Sequence, residues 1–184
     1  MNTQSLDIDL AFTAFNINML EEPLKSQEET LLMESKSWKY RLTNWLLFLR
    51  QQANLACPKV VRSSSRMSLG IEMTDDEKIK ELNQQWRHKP FATDVLSFPV
   101  IDDTYTFSSH QCIELGDIVI SVPTAKRQAL EHGNDFAREL QWLVTHGLLH
   151  LLGWDHQDEN SLQEMLYVQD QMLEFSDNLS NSLN

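Results

Sequence analysis

The chain predicts an α+β fold in which one small β-sheet is covered by helices. Three observations carry this. Four short runs have the apolar or alternating character of strands, and five longer stretches have helical periodicity. The runs follow the order strand, helix, strand, helix, two strands, then helices. The length, 184 residues, suits one domain with a proper core.

Taken in order, Ile8–Phe12 alternates apolar and polar residues and reads as a short strand. Residues 17–35, with EEPLKSQEE at their centre, read as a flexible insertion. Trp38 to Ala56 carries Trp45, Leu46, Leu47 and Leu49 at helical intervals, an amphipathic helix. RMSLGIEMT, Arg66–Thr74, is a strand, and Thr74 to Glu77 forms a capping box for a helix reaching about Trp86. TDVLSFPV is a strand stopped near Pro99, DDTYTFSSH (102–110) a polar loop, and ELGDIVIS, Glu114–Ser121, a buried strand. Helices follow over Pro123–His132, ended by Gly133, and over Phe136–Leu152. A final amphipathic helix covers Ser161–Phe175. The division expected is a body over 1–160 and a C-terminal acidic helix and tail over 161–184. No internal repeat or low-complexity tract is present.

Composition narrows the function. The formal net charge of −12 argues against a general nucleic-acid coat protein. Half of that charge lies in residues 157–184, which hold six acids (Asp158, Glu159, Glu164, Asp170, Glu174, Asp177) and no Lys or Arg. Cys57 and Cys112 form no C-x-x-C pair and read as reduced, packing thiols. With no basic-then-apolar leader and no apolar run near membrane length, the expected location is the cytoplasm, away from membranes.

The chemistry is concentrated in THGLLHLLGWDH, residues 145–156, which holds three of the six histidines. His146 and His150 are one helical turn apart on the same face. Gly153 can end the helix in a left-handed conformation and let the chain present His156 to the same point. Three imidazoles converging in this way are a metal site with an open fourth position. The bland alternative makes His146 and His150 half-buried helix residues bonded to backbone, with His156 on the surface. The spacing H-x-x-x-H-x-x-G-x-x-H is that of the metzincin proteases, yet their general-base Glu is replaced here by Gly147. A hydrolytic protease without that carboxylate is a poor proposal.

A second constellation lies in LNQQWRHKPFATDVLSFP, Leu82–Pro99. Arg87 falls at a helix end before a proline-containing connection, where its planar fork could meet a phosphate. Read by itself, the segment favours Arg87 pairing with a carboxylate at the core edge, with Trp86 simply packing. Asp94 and Asp117 flank strands and read as backbone-bonding residues, and Ser97 has no histidine near it in sequence to make it a nucleophile.

Together LNQQWRHKPFATDVLSFP, LGDIVIS and THGLLHLLGWDH resemble the YbeY family of single-strand-specific endoribonucleases that mature bacterial ribosomal RNA. The last stretch matches the family signature H-G-x-L-H-L-x-G-[YFW]-D-H at every position. The resemblance is strong over about 66–160. It leaves 17–35 and the acidic tail unmatched, and Pro90-Phe91 departs from the residues relatives often carry there. It implies a small mixed sheet with helices around it, and one Zn2+ held by His146, His150 and His156 at the end of a central helix. It further implies a catalytic Arg87 and cleavage of single-stranded ribosomal RNA at the 3′ end of the small-subunit rRNA. A role in ribosome quality control follows, with the ribosome or ribosomal proteins as partners and no DNA. The rival readings are a non-enzymatic ribosome-assembly factor with structural zinc and, more remotely, a metalloprotease-like hydrolase.

Overall fold

The computed structural model describes residues 6–20, 22–101 and 112–181, so the expected polar loop at 102–110 lies outside the described residues. Four strands form one mixed sheet: β1 (Asp7–Thr13), β2 (Arg66–Thr74), β3 (Val95–Pro99) and β4 (Ile113–Ser121). Their spatial order is β1-β2-β4-β3. β1 and β4 run parallel to β2, while β3 pairs antiparallel to β4 at one edge. Among the described residues, seven α-helices surround it: α1 (Gln27–Leu31), α2 (Ser35–Gln51), α3 (Lys59–Ser63), α4 (Asp76–Arg87), α5 (Val122–His132), α6 (Phe136–Leu151) and α7 (Glu159–Asn181). None of the described helices is long and apolar enough to cross a membrane.

The two faces of the sheet are covered unequally. One carries Ile118 and Ile120 into the main core, with Leu148 and Leu149 of α6 and Trp38, Trp45 and Leu46 of α2. The other has a small cluster in which Ile79 of α4 packs on Leu96 and Val119. α4 leaves the remainder of that second face open, a point that matters for the site.

Three expectations need correction. The segment 17–35 is no loose insertion. Ser26 caps α1 by accepting from the Glu29 amide at 3.1 Å, Leu32 is fully buried, and the Trp38 indole donates to the Leu32 carbonyl at 2.7 Å. Its run of charges conceals the buried Leu32, with Leu20, Leu24 and Met33 packed partly buried against the core, which is why composition misleads there. The second helix ends at Gln51 instead of Ala56, because the Arg62 guanidinium caps its C-terminus from α3. That group donates to the carbonyls of Arg50, Gln52 and Leu55 at 2.7–2.8 Å. The α4 cap is Asp75, which accepts from the Lys78 amide at 2.8 Å, while Thr74 remains in β2 opposite Ser121.

The final helix is also longer than expected and inseparable from the body. Met165, Val168, Met172 and Leu173 of α7 are buried in the main core, while all six acids face outward. The core therefore runs through residue 173, past the boundary expected at 160.

Candidate metal centre and nucleic-acid groove

The histidine-bearing segment folds as its spacing predicts. α6 begins at an Asp135 cap, which accepts from the Ala137 amide at 2.7 Å, and its leucines bury it against the sheet. Gly153, at φ 86°, turns the chain back beyond Leu152, and His156 returns to the end of the helix. One ring nitrogen from each of His146, His150 and His156 then lies within 4.8 Å of the others. The Nε2 atoms of His146 and His150 are 3.1 Å apart.

Hydrogen bonds on the outer side decide what those nitrogens can do. His150 Nδ1 lies 2.9 Å from the Trp154 carbonyl, which only accepts, so Nδ1 carries the proton. His146 Nδ1 faces the Gln169 side-chain oxygen at 3.3 Å. Both Nε2 lone pairs therefore point inward at each other. This is repulsive on its own and becomes favourable with a cation between them. The separation also suits two ligands on one tetrahedral ion at about 2.0–2.1 Å each.

Electrostatics agree with that donor set. Burial, helped by the neighbouring His150, lowers the His146 pKa to about 4. Burial also lowers that of His150, against the Trp154 carbonyl, which favours the charged form. Both imidazoles are consequently neutral at pH 7, the form that binds a metal. The Trp142 ring stacks on His146 with 6° between planes and 5.3 Å between centroids, fixing the ring's attitude. The third candidate ligand, His156, is placed by its loop, where its own amide donates to Asp155 at 2.8 Å.

Gly147 has a packing reason. A Cβ built there would sit 2.9 Å from Ile118 Cγ2 and 3.1 Å from Ser97 Oγ, so α6 approaches β3 and β4 across it. The position that holds the metzincin carboxylate is thus pressed against the sheet. Ser97 serves that packing contact and lies beneath α6.

Arg87 ends α4, followed by His88 in the left-handed region (φ 57°). It is exposed and makes no hydrogen bond or ion pair among the described residues, so the carboxylate pairing is not realised. Its charge is near enough to His150 to help depress that imidazole's pKa. Arg87 and Trp86 line a groove of about 780 Å³ over the open sheet face, with Gly70, Phe98, Pro99 and Asp117. Trp86 is 61% exposed and meets Phe98 edge-on at 5.8 Å between centroids; Phe91 is 56% exposed. Asp94 behaves as a backbone-bonding residue, accepting from the Val95 amide at 2.8 Å, and also holds Gln128 at 3.1 Å.

Sequence reasoning missed several supporting residues. Asn83, buried on α4, donates to the Phe91 carbonyl at 2.8 Å, and its own carbonyl takes the Lys89 amide at 3.3 Å. It therefore shapes the connection after Arg87. Its place in LNQQWR, four residues before Arg87, was the available signal. Gln169 and Trp142 had no signal of comparable strength.

Fold and site together define an α+β protein with three histidines able to hold a metal ion and an exposed arginine beside an aromatic-rimmed groove. A family model described as Endoribonuclease YbeY matches residues 25–177. Proteins named Endoribonuclease YbeY from Prochlorococcus marinus (strain NATL2A) and Synechococcus sp. (strain CC9311) are similar throughout. The first is 50% identical over 94% of each chain; the second is 45% identical over 95% of this chain and 98% of the other. The chain belongs to the YbeY endoribonuclease family. The likeness extends well beyond 66–160 and takes in most of the segments expected to be unmatched. The solution structure of a Thermotoga maritima protein shares the fold at TM-score 0.56, with 23% identity over 95% of this chain and 93% of that one.

Proposed function

We propose that this protein is a zinc-dependent, single-strand-specific endoribonuclease. It matures ribosomal RNA at the 3′ end of the small-subunit rRNA and acts in ribosome quality control, in the cytoplasm. The observation that carries the reading is two inward-facing Nε2 lone pairs with Arg87 close by, unpaired among the described residues. His146, His150 and His156 would hold the ion. When bound, zinc supplies Lewis acidity and lowers the pKa of a water in its open position. Arg87 presents its fork of N–H donors to the phosphoryl oxygens and stabilises the charge that develops on them. Trp86 and Phe91 offer exposed faces on which unpaired bases stack, which favours a flexible strand over an A-form duplex. An overall charge of −12 weakens non-specific RNA binding, so a ribosome or ribosomal-protein partner raises the local concentration of substrate.

The assembly-factor reading makes zinc structural, and structural sites are usually closed by four ligands. Only three candidate ligands converge among the described residues. The protease reading is opposed by the packing at Gly147.

The test is single-turnover cleavage of a single-stranded RNA by the wild type, Arg87→Ala and His150→Ala, alongside zinc content by elemental analysis. Arg87→Ala should fold, keep its zinc and cut roughly 10²–10³ times more slowly. His150→Ala should lose zinc and cleavage together. Wild-type-like cutting by Arg87→Ala removes that residue from the site. Absence of zinc-dependent cleavage in folded, loaded wild type favours the assembly reading.

A further inference from the structure

Gln169 is a fully buried polar side chain beside the core residues Met165, Val168, Met172 and Leu173 of α7. Burying an amide there is unfavourable unless both of its ends are bonded, and a leucine of similar size would pack more simply. Both ends are bonded. The Nε2 group donates to the Trp142 carbonyl at 2.8 Å, and the oxygen faces His146 Nδ1 at 3.3 Å.

A carbonyl only accepts, so Trp142 obliges the Gln169 amino group to turn toward it. The Gln169 oxygen is left toward His146, and an oxygen can only accept. His146 must therefore carry its proton on Nδ1 and keep the Nε2 lone pair for the point it shares with His150. Trp142 enters twice, because its ring also stacks on the same imidazole.

We propose that Gln169 is a positioning residue that presets His146 in the metal-binding tautomer, making α7 the outer wall of the metal centre. This rests on His146 being a metal ligand. His150 is preset in the same way by the Trp154 carbonyl, so two of the three ligands are oriented before an ion arrives.

The full-length protein, labelled with 15N, tests this through long-range 1H–15N correlation spectra of the imidazoles at neutral pH. Zinc affinity is measured in parallel by competition with a chromophoric chelator. Wild type should hold His146 as the Nδ1–H tautomer both before and after zinc is added. Gln169→Leu should populate both tautomers without zinc and bind zinc about 10–100-fold more weakly. Zinc affinity in Gln169→Leu equal to wild type overturns the proposal, as does an Nε2–H tautomer in zinc-free wild type. The wild-type spectrum decides the matter by itself if Gln169→Leu does not fold. No RNA is present, so zinc binding that depends on Gln169 in a protein without nuclease activity would refute the nuclease reading alone. Wild type that binds no zinc would refute the ligand assignment.

Discussion

At Gly147 an absent side chain separates this histidine-bearing helix from a metzincin protease's, which carries Glu there. Helix α6 approaches the sheet so closely that a Cβ would meet Ile118 at 2.9 Å, while the Nε2 atoms of His146 and His150 on the same helix lie 3.1 Å apart. The glycine lets the helix dock, and docking places the imidazoles. Gly147→Ala should therefore destabilise the zinc-free protein by roughly 1–3 kcal/mol, the usual cost of overfilling a packed interior. Urea unfolding measures it, and unchanged stability would mean that Ile118 and Ser97 yield freely. Gly147→Glu, which restores the protease carboxylate, should fail to fold at all.

Helix α4 has to hold Arg87 at its far end, so its near end is clamped. Asp76, in the first turn, accepts from Ser121, from the Thr124 hydroxyl at 2.7 Å and from Arg127 at 2.9 Å, tying α4 to β4 and α5. Burial opposes ionisation of this carboxyl, yet those hydrogen bonds and the Arg127 charge prevail and hold its pKa below the ordinary carboxylate value. A depressed acid stabilises the fold above its unfolded pKa, near 3.9, and that contribution disappears as pH falls through the folded value. Asp76→Asn should thus be less stable than wild type at pH 7, and the gap should close below about pH 4. Thermal melts across pH 3–7 report this, and a gap independent of pH would show that the carboxylate charge contributes nothing.

At the scale of the whole molecule, the acidic face of α7 is what a nuclease must overcome. Its inner face is core, so truncating the helix would destroy the fold instead of reporting on charge. Neutralising the outward acids is the cleaner experiment. The triple variant Glu164→Gln/Asp170→Asn/Glu174→Gln keeps every buried residue and removes three negative charges. Single-stranded RNA should bind it more tightly at low salt, with the advantage shrinking as ionic strength rises. Equal affinity at every salt concentration would rule out an electrostatic role for this face.

The strands, the histidine-bearing helix and the convergence of its three histidines were legible in the sequence because each is encoded locally. Period-two and period-3.6 patterns need only neighbouring residues, and His146, His150 and Gly153 lie within two helical turns. The resemblance added Arg87, whose segment read by itself favoured carboxylate pairing over phosphate contact. Tertiary structure decided everything that depends on partners distant in the chain. Arg62 ended α2 from α3, and Leu32 anchored a segment whose charges read as a loop. Gln169, 23 residues beyond His146, met its ring only because α7 packs on α6. A hydrogen bond between distant helices leaves no periodic trace. The three converging histidines were therefore written in the sequence, while the hydrogen bonds that orient His146 and His150 arose from the packing.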